Sequence, residues 1–184
     1  MTRSTTPFAL LLALVLLPGC GFFFVEAADS RVCKTVFNAV FAPGIQPPQS
    51  ATQTQPFDYN FGAELLQLHG KGVETDVRIL GITFTSHDQA TNLAFIDTVQ
   101  IELSAVSTAD GGVPGLQVLR YQKVAGADPG VSVTLKGDQD HDITAYLKAG
   151  ALHLTTTVSG VFPPQPWALD MTTCLAVKAH YDYL

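Results

Sequence analysis

The sequence predicts one all-β domain, a single antiparallel β-sandwich of immunoglobulin-like or jelly-roll type with little helix. Three observations carry that expectation. Apolar and polar residues alternate with period two through most of the chain beyond residue 76. Turn sequences rich in Gly, Pro and Asp separate the alternating runs: DGGVPG at 110–115, GADPG at 126–130 and KGDQD at 136–140. Past the first thirty residues, the 3.6-residue period of an amphipathic helix is nearly absent. Short strands punctuated in this way pack as a sandwich or barrel, and 184 residues suffice for one domain with a sizeable core.

The first element is a leader. MTRSTTP carries Arg3 and no acid, an apolar run follows from Phe8 to Leu17, and Pro18-Gly19 breaks it. A short basic start, about ten apolar residues and a break are the pattern of a secretory signal. A spanning helix needs roughly twenty apolar residues in a row, so this run is too short to be one. The residues Leu17-Pro18-Gly19-Cys20 resemble the lipobox of bacterial lipoprotein precursors. That resemblance implies cleavage before Cys20, a diacylglycerol on its thiol and a membrane partner held through the N-terminal lipid. Two positions depart from the pattern: Pro18 stands where a small residue is usual, and Phe22-Phe23-Phe24 where a polar tether is usual. The division expected is a signal peptide at 1–19, a lipid-anchor tether at 20–30 and the sandwich domain at 31–184, within the cell envelope. Plain secretion with cleavage after Ala27, giving a soluble exported or periplasmic protein, is the alternative.

Cysteine usage agrees with export. There are three cysteines, Cys20, Cys33 and Cys174. With lipid on Cys20, Cys33 and Cys174 form one even pair in an oxidising compartment and are expected to bridge the first strand to the last.

Within the domain, residues 31–41 read as a strand with Val32, Val36 and Val40 on one face. The Pro- and Gln-rich stretch 42–56 reads as a long surface loop. Residues 77–84 read as a strand whose two phases are both apolar towards its end. Clean alternation at 98–105 follows, with further strands at 116–124, 131–135, 152–158 and 169–182. The best helical candidate is Asp142 to Ala149, with Asp142 as its cap and Gly150 as its stop. DITAYLKAGALHL, residues 142–154, resembles an element of galactose-binding-like jelly rolls, with Ala151 where those carry Asn. The resemblance implies a β-sandwich.

Charge and motifs bound the function. The net charge is −6, only 14% of residues are charged, and the basic residues are dispersed, so a nucleic-acid partner is not expected. Ser86, His87 and Asp88 are the residue types of a hydrolase triad. As neighbours on a strand, however, they point to alternate faces, and no G-x-S-x-G elbow accompanies them. Asp138, Asp140 and Asp142 have a spacing that calcium loops use, but Ile143 and Ala149 stand where the EF-hand pattern needs Gly and Glu. A solvated turn with Asp142 as a cap is the expectation there. The histidines at 69, 87, 141, 153 and 180 are scattered, so neither a metal nor a cofactor is expected. The Pro-stiffened VFPPQPWALD, residues 161–170, presents the only Trp. Trp167 is expected to plug the open end of the sandwich, or else to contact a ligand. The function expected is a non-catalytic envelope lipoprotein that binds a protein or carbohydrate partner or fills a structural role. A carbohydrate-binding module and an envelope-polymer hydrolase are the alternatives.

Overall fold

A computed structural model describes residues 24–62, 73–105, 112–137, 141–147 and 151–182, with backbone alone at 24–29, 73–75 and 179–182. Eight strands form two four-stranded antiparallel sheets. They are β1 (Phe24–Phe41), β2 (Ala51–Asn60), β3 (Val73–Ser86), β4 (Ile96–Leu103), β5 (Leu116–Gln122), β6 (Ser132–Lys136), β7 (Ala151–Gly160) and β8 (Trp167–Asp182). One sheet runs β1-β8-β3-β6 and the other β2-β7-β4-β5. That order is a jelly roll, so of the two sandwich types expected, the chain adopts the second.

Alternation builds the core. Leu169, Met171, Thr173, Leu175 and Val177 of β8 face Leu152, Leu154, Thr156 and Val158 of β7 across the interior, all buried. Two bulges reset the phase elsewhere. In β3 the register slips between Ile79 and Gly81, so Val77 and Ile79 before the slip and Ile82 and Phe84 after it are all buried. The strand read as apolar on both faces therefore has one apolar face with a bulge in it. In β1 a slip between Val36 and Ala39, with Asn38 in the left-handed region at φ 55°, turns Ala39 and Phe41 inward. Val40, expected on one face with Val32 and Val36, is exposed as a result.

Three boundaries differ from the sequence reading. β1 begins at Phe24, inside the segment 20–30 read as a tether, and its backbone pairs from Phe24↔Asp182 onward. Residues 51–56, assigned to the surface loop, are the first half of edge strand β2. This stretch needs no apolar core face at its outset, because Thr52 and Thr54 bond across the ladder to Ser159 and Thr157 at 2.8 and 3.1 Å. The helix expected at 142–149 is only a 3-10 turn, Thr144–Tyr146. Asp142 still anchors it: its Oδ1 accepts from the Thr144 N–H at 2.9 Å, the Thr144 hydroxyl at 2.6 Å and the Val77 N–H at 3.2 Å.

Strand direction sorts the connections to two ends. Phe41↔Trp167, Ala51↔Gly160, Ile96↔Gly160, Thr98↔Gln122 and Thr85↔Ser132 bring together the loops at 42–50, 87–95, 123–131 and 161–166. The start of β1 and the end of β8, with Asn60, Leu103 and Ala151, lie at the opposite end.

Candidate functional site

The loop end holds a pocket of about 220 Å³. Ser86, His87, Asp88 and Thr91 wall one side, and Pro163, Gln165, Pro166 and Trp167 the other. The two motifs singled out in the sequence thus meet, although the 72 residues 89–160 separate them.

The β3 end and the turn after it position the first wall. Ser86 ends the inner face of β3 and is buried, and consecutive residues alternate, so His87 turns the other way. Ser86 donates its hydroxyl to Asp88 Oδ1 in a short hydrogen bond. Asp88 Oδ1 also accepts from the Ala90 and Thr91 N–H groups at 2.9 and 2.8 Å, and Oδ2 from the Thr91 hydroxyl at 2.6 Å. The Ser86 and Thr91 bonds, with the two backbone donors, hold the Asp88 carboxyl well below the usual carboxylate range. Neighbouring loops brace this turn. Leu93 N–H donates to Gly130 O at 2.7 Å, and the Asn92 amide donates to Asp128 Oδ1 at 2.7 Å. Asp128 itself lies below its ordinary value, through the Gly130 N–H and then Asn92.

His87 pairs instead with Asp170 of β8, Nδ1 to Oδ1 at 2.7 Å. Burial pushes the Asp170 carboxyl up, but the Asn38 N–H, the His87 hydrogen bond and its charge together outweigh that, so it lies below the usual range. An ionised carboxylate only accepts, so Nδ1 carries the proton in this bond. Among the described residues Ser86 makes no hydrogen bond to His87: its hydroxyl goes to Asp88, and the imidazole bonds to Asp170.

The second wall rests on four aromatic rings. Trp167 stacks on Phe41, its partner across the β1–β8 ladder, with centroids 4.4 Å apart, and on Phe162 at 5.3 Å. Phe95 meets its edge at 4.9 Å. Trp167 is 7% exposed, with both ring faces covered, so it closes the end of the core and offers the pocket an edge. A sugar ring stacks on a free aromatic face, and Trp167 has none to give. Gly44 seats the 42–50 loop against this wall: its N–H donates to Pro163 O at 2.6 Å, and a Cβ there would overlap the Phe162 carbonyl.

The remaining expected residues lie elsewhere. Cys33 and Cys174 are bridged, directly opposite in the β1–β8 register with Cα atoms 4.1 Å apart. Cys20, His69, Asp138 and Asp140 lie outside the described residues. His153 pairs with Asp58 at 2.6 Å on the outer face of the second sheet. Asp170, Thr91 and Gln165 had no signal of their own in the sequence; Asp170 reads there only as one more polar-phase residue of the last strand.

Comparisons with protein-family models, with curated proteins and with solved structures find no match.

Proposed function

We propose that this chain is a non-catalytic, lipid-anchored module of the cell envelope that binds a ligand at the loop end of its jelly roll. The observation that carries the reading is the pocket between the 86–91 turn and the 163–168 segment, beside which His87 bonds to Asp170 and Ser86 to Asp88, with no Ser–His bond among the described residues. What supports the anchor is cysteine usage: with Cys33 bonded to Cys174, the lipobox cysteine is the one left over. Three residues lie between Cys20 and the start of β1 at Phe24, and the four Cα–Cα steps reach about 14 Å at most. An acyl chain on Cys20 would therefore hold the domain close to the bilayer by one end. The pocket lies at the other, some 50–60 Å away along the 18 residues of β1, facing outward.

Expression of the full chain in an exporting bacterial host tests the reading. Mass spectrometry of the detergent-extracted protein is expected to show an acylated N-terminal Cys20, and Cys20→Ser is expected to release the domain from the membrane. A soluble product beginning near Ala28 would replace lipid anchoring with plain secretion. Turnover of envelope polysaccharide or ester substrates that disappears in His87→Ala would replace the binding role with hydrolysis.

A further inference from the structure

The pocket offers its contents acceptors and almost no donors. The backbone N–H groups of Ser86, His87, Gln89, Ala90, Thr91 and Leu93 all go to carbonyls or to Asp88. The Ser86 and Thr91 hydroxyl hydrogens go to Asp88 as well. Pro163 and Pro166 have no N–H to give. The Trp167 indole N–H is buried beneath the pocket surface. Besides that indole, Gln165 is the lining residue whose side chain carries an uncommitted N–H donor among the described residues.

Acceptor capacity remains on the same walls. Asp88 Oδ2 has one hydrogen bond and room for another, and the Ser86 and Thr91 oxygens keep lone pairs. The sign of the charge agrees, because the lining includes the Asp88 carboxylate and neither Lys nor Arg. Asp170 stands directly behind His87. An anion would meet a carboxylate and few donors. A neutral polyol would leave the carboxylate charge unmatched and has no aromatic face to stack on, since Phe41 and Phe162 cover both faces of Trp167. A group with three donors and a positive charge satisfies these walls, and the prolines and Trp edge would contact the carbon attached to it.

We propose that this pocket binds a primary ammonium group, carried either by a small free amine or by a lysine side chain. The proposal rests on the reading of the pocket as a ligand site, and it is independent of whether Cys20 is acylated.

The test is NMR titration of the ¹⁵N-labelled mature chain in detergent, followed at Thr91, at Ala168 and at the single indole N–H, which Trp167 alone supplies. Ethylammonium is expected to shift these signals saturably. Tetramethylammonium, which has the charge without the N–H donors, is expected to bind at least tenfold more weakly, and acetate not at all. Gln165→Lys places a cation at the mouth on an exposed residue, and it is expected to weaken ethylammonium at least tenfold with the fold intact. Asp88→Asn is expected to do the same from inside the pocket. N-acetyl-lysine methylamide separates the sources: affinity equal to ethylammonium assigns a chain-borne lysine, and much weaker binding a free amine. Saturable shifts with glucose or glycerol but not with ethylammonium would overturn the ammonium assignment while leaving a binding module in place. No shift with any of these probes would overturn the pocket as a ligand site.

Discussion

Removing the Cys33–Cys174 bridge by the double substitution Cys33→Ala/Cys174→Ala is the perturbation whose size follows most directly from the structure. The bridge closes a loop with a sequence separation of 141, and the loop-closure entropy lost from the unfolded chain then amounts to about 5 kcal/mol at 25 °C. The folded side changes little. Cys33 is exposed, Cys174 lies on the outer face of the sheet, and the one side-chain contact given up there is the Arg31 Nη2 bond to Cys174 Sγ at 3.5 Å. Nearly all the effect is therefore expected in the unfolded state. Domains of this size are stable by roughly 5–15 kcal/mol, so the variant is expected to fold marginally or to lose a large part of its urea midpoint. The urea m-value is expected to rise, because the uncrosslinked chain exposes more surface on unfolding. Reduced wild-type protein is expected to behave like the variant. Backbone pairing along β1 and β8 persists without the bridge, so the far-ultraviolet spectrum of the folded variant is expected to be unchanged. A loss below about 1 kcal/mol with an unchanged m-value would refute the entropic account.

Three other outcomes are expected. Trp167→Ala should cost about 3–5 kcal/mol in urea melts, because Phe41, Phe95 and Phe162 lose the ring they share. Trp167→Phe should cost much less, since the indole N–H it removes has no partner among the described residues. Tyr59, whose hydroxyl donates to Met171 O at 3.1 Å, is pushed by burial up to about 12, well past the effect of the nearby Thr173 hydroxyl. Between pH 10 and 12 the unfolded chain therefore holds fewer protons than the folded one. Stability that is fully present below pH 10 should fall by about 3 kcal/mol across that window, and Tyr59→Phe should abolish the fall in alkaline melts. Asp142→Ala should cost about 1 kcal/mol, because Val77 N–H keeps its 3.0 Å bond to the Thr144 hydroxyl. Asp142→Ala/Thr144→Val should exceed the sum of the single changes by roughly 1 kcal/mol, as a double-mutant cycle would measure, because Val77 N–H then has neither acceptor.

Period-two alternation is a local property of the chain, and where it is unbroken the buried face is legible directly. Val99, Ile101 and Leu103 in β4, and Leu169 to Val177 in β8, are inside as their phase requires. The cysteine count, read with the expected leader, pointed to the Cys33–Cys174 pair in the same way, without reference to strand order. What local pattern cannot carry is anything that depends on a partner strand. The bulges in β1 and β3 invert the phase of Val40 and Ile82, and a bulge exists only relative to the strand it is paired with. Residues 51–56 look like a loop because their stabilising contacts, Thr52 and Thr54 to Ser159 and Thr157, lie a hundred residues away. The pocket is the extreme case. Of the seven pairs of strands consecutive in sequence, only β4 and β5 are neighbours in a sheet. Jelly-roll winding alone brings the 86–91 turn against 163–168, and Asp170 behind His87. The sequence by itself determined which residues could line an inner face and which cysteines could bond. Which motifs meet was decided by strand order and register, because hydrogen-bonded ladders join residues that the chain holds far apart.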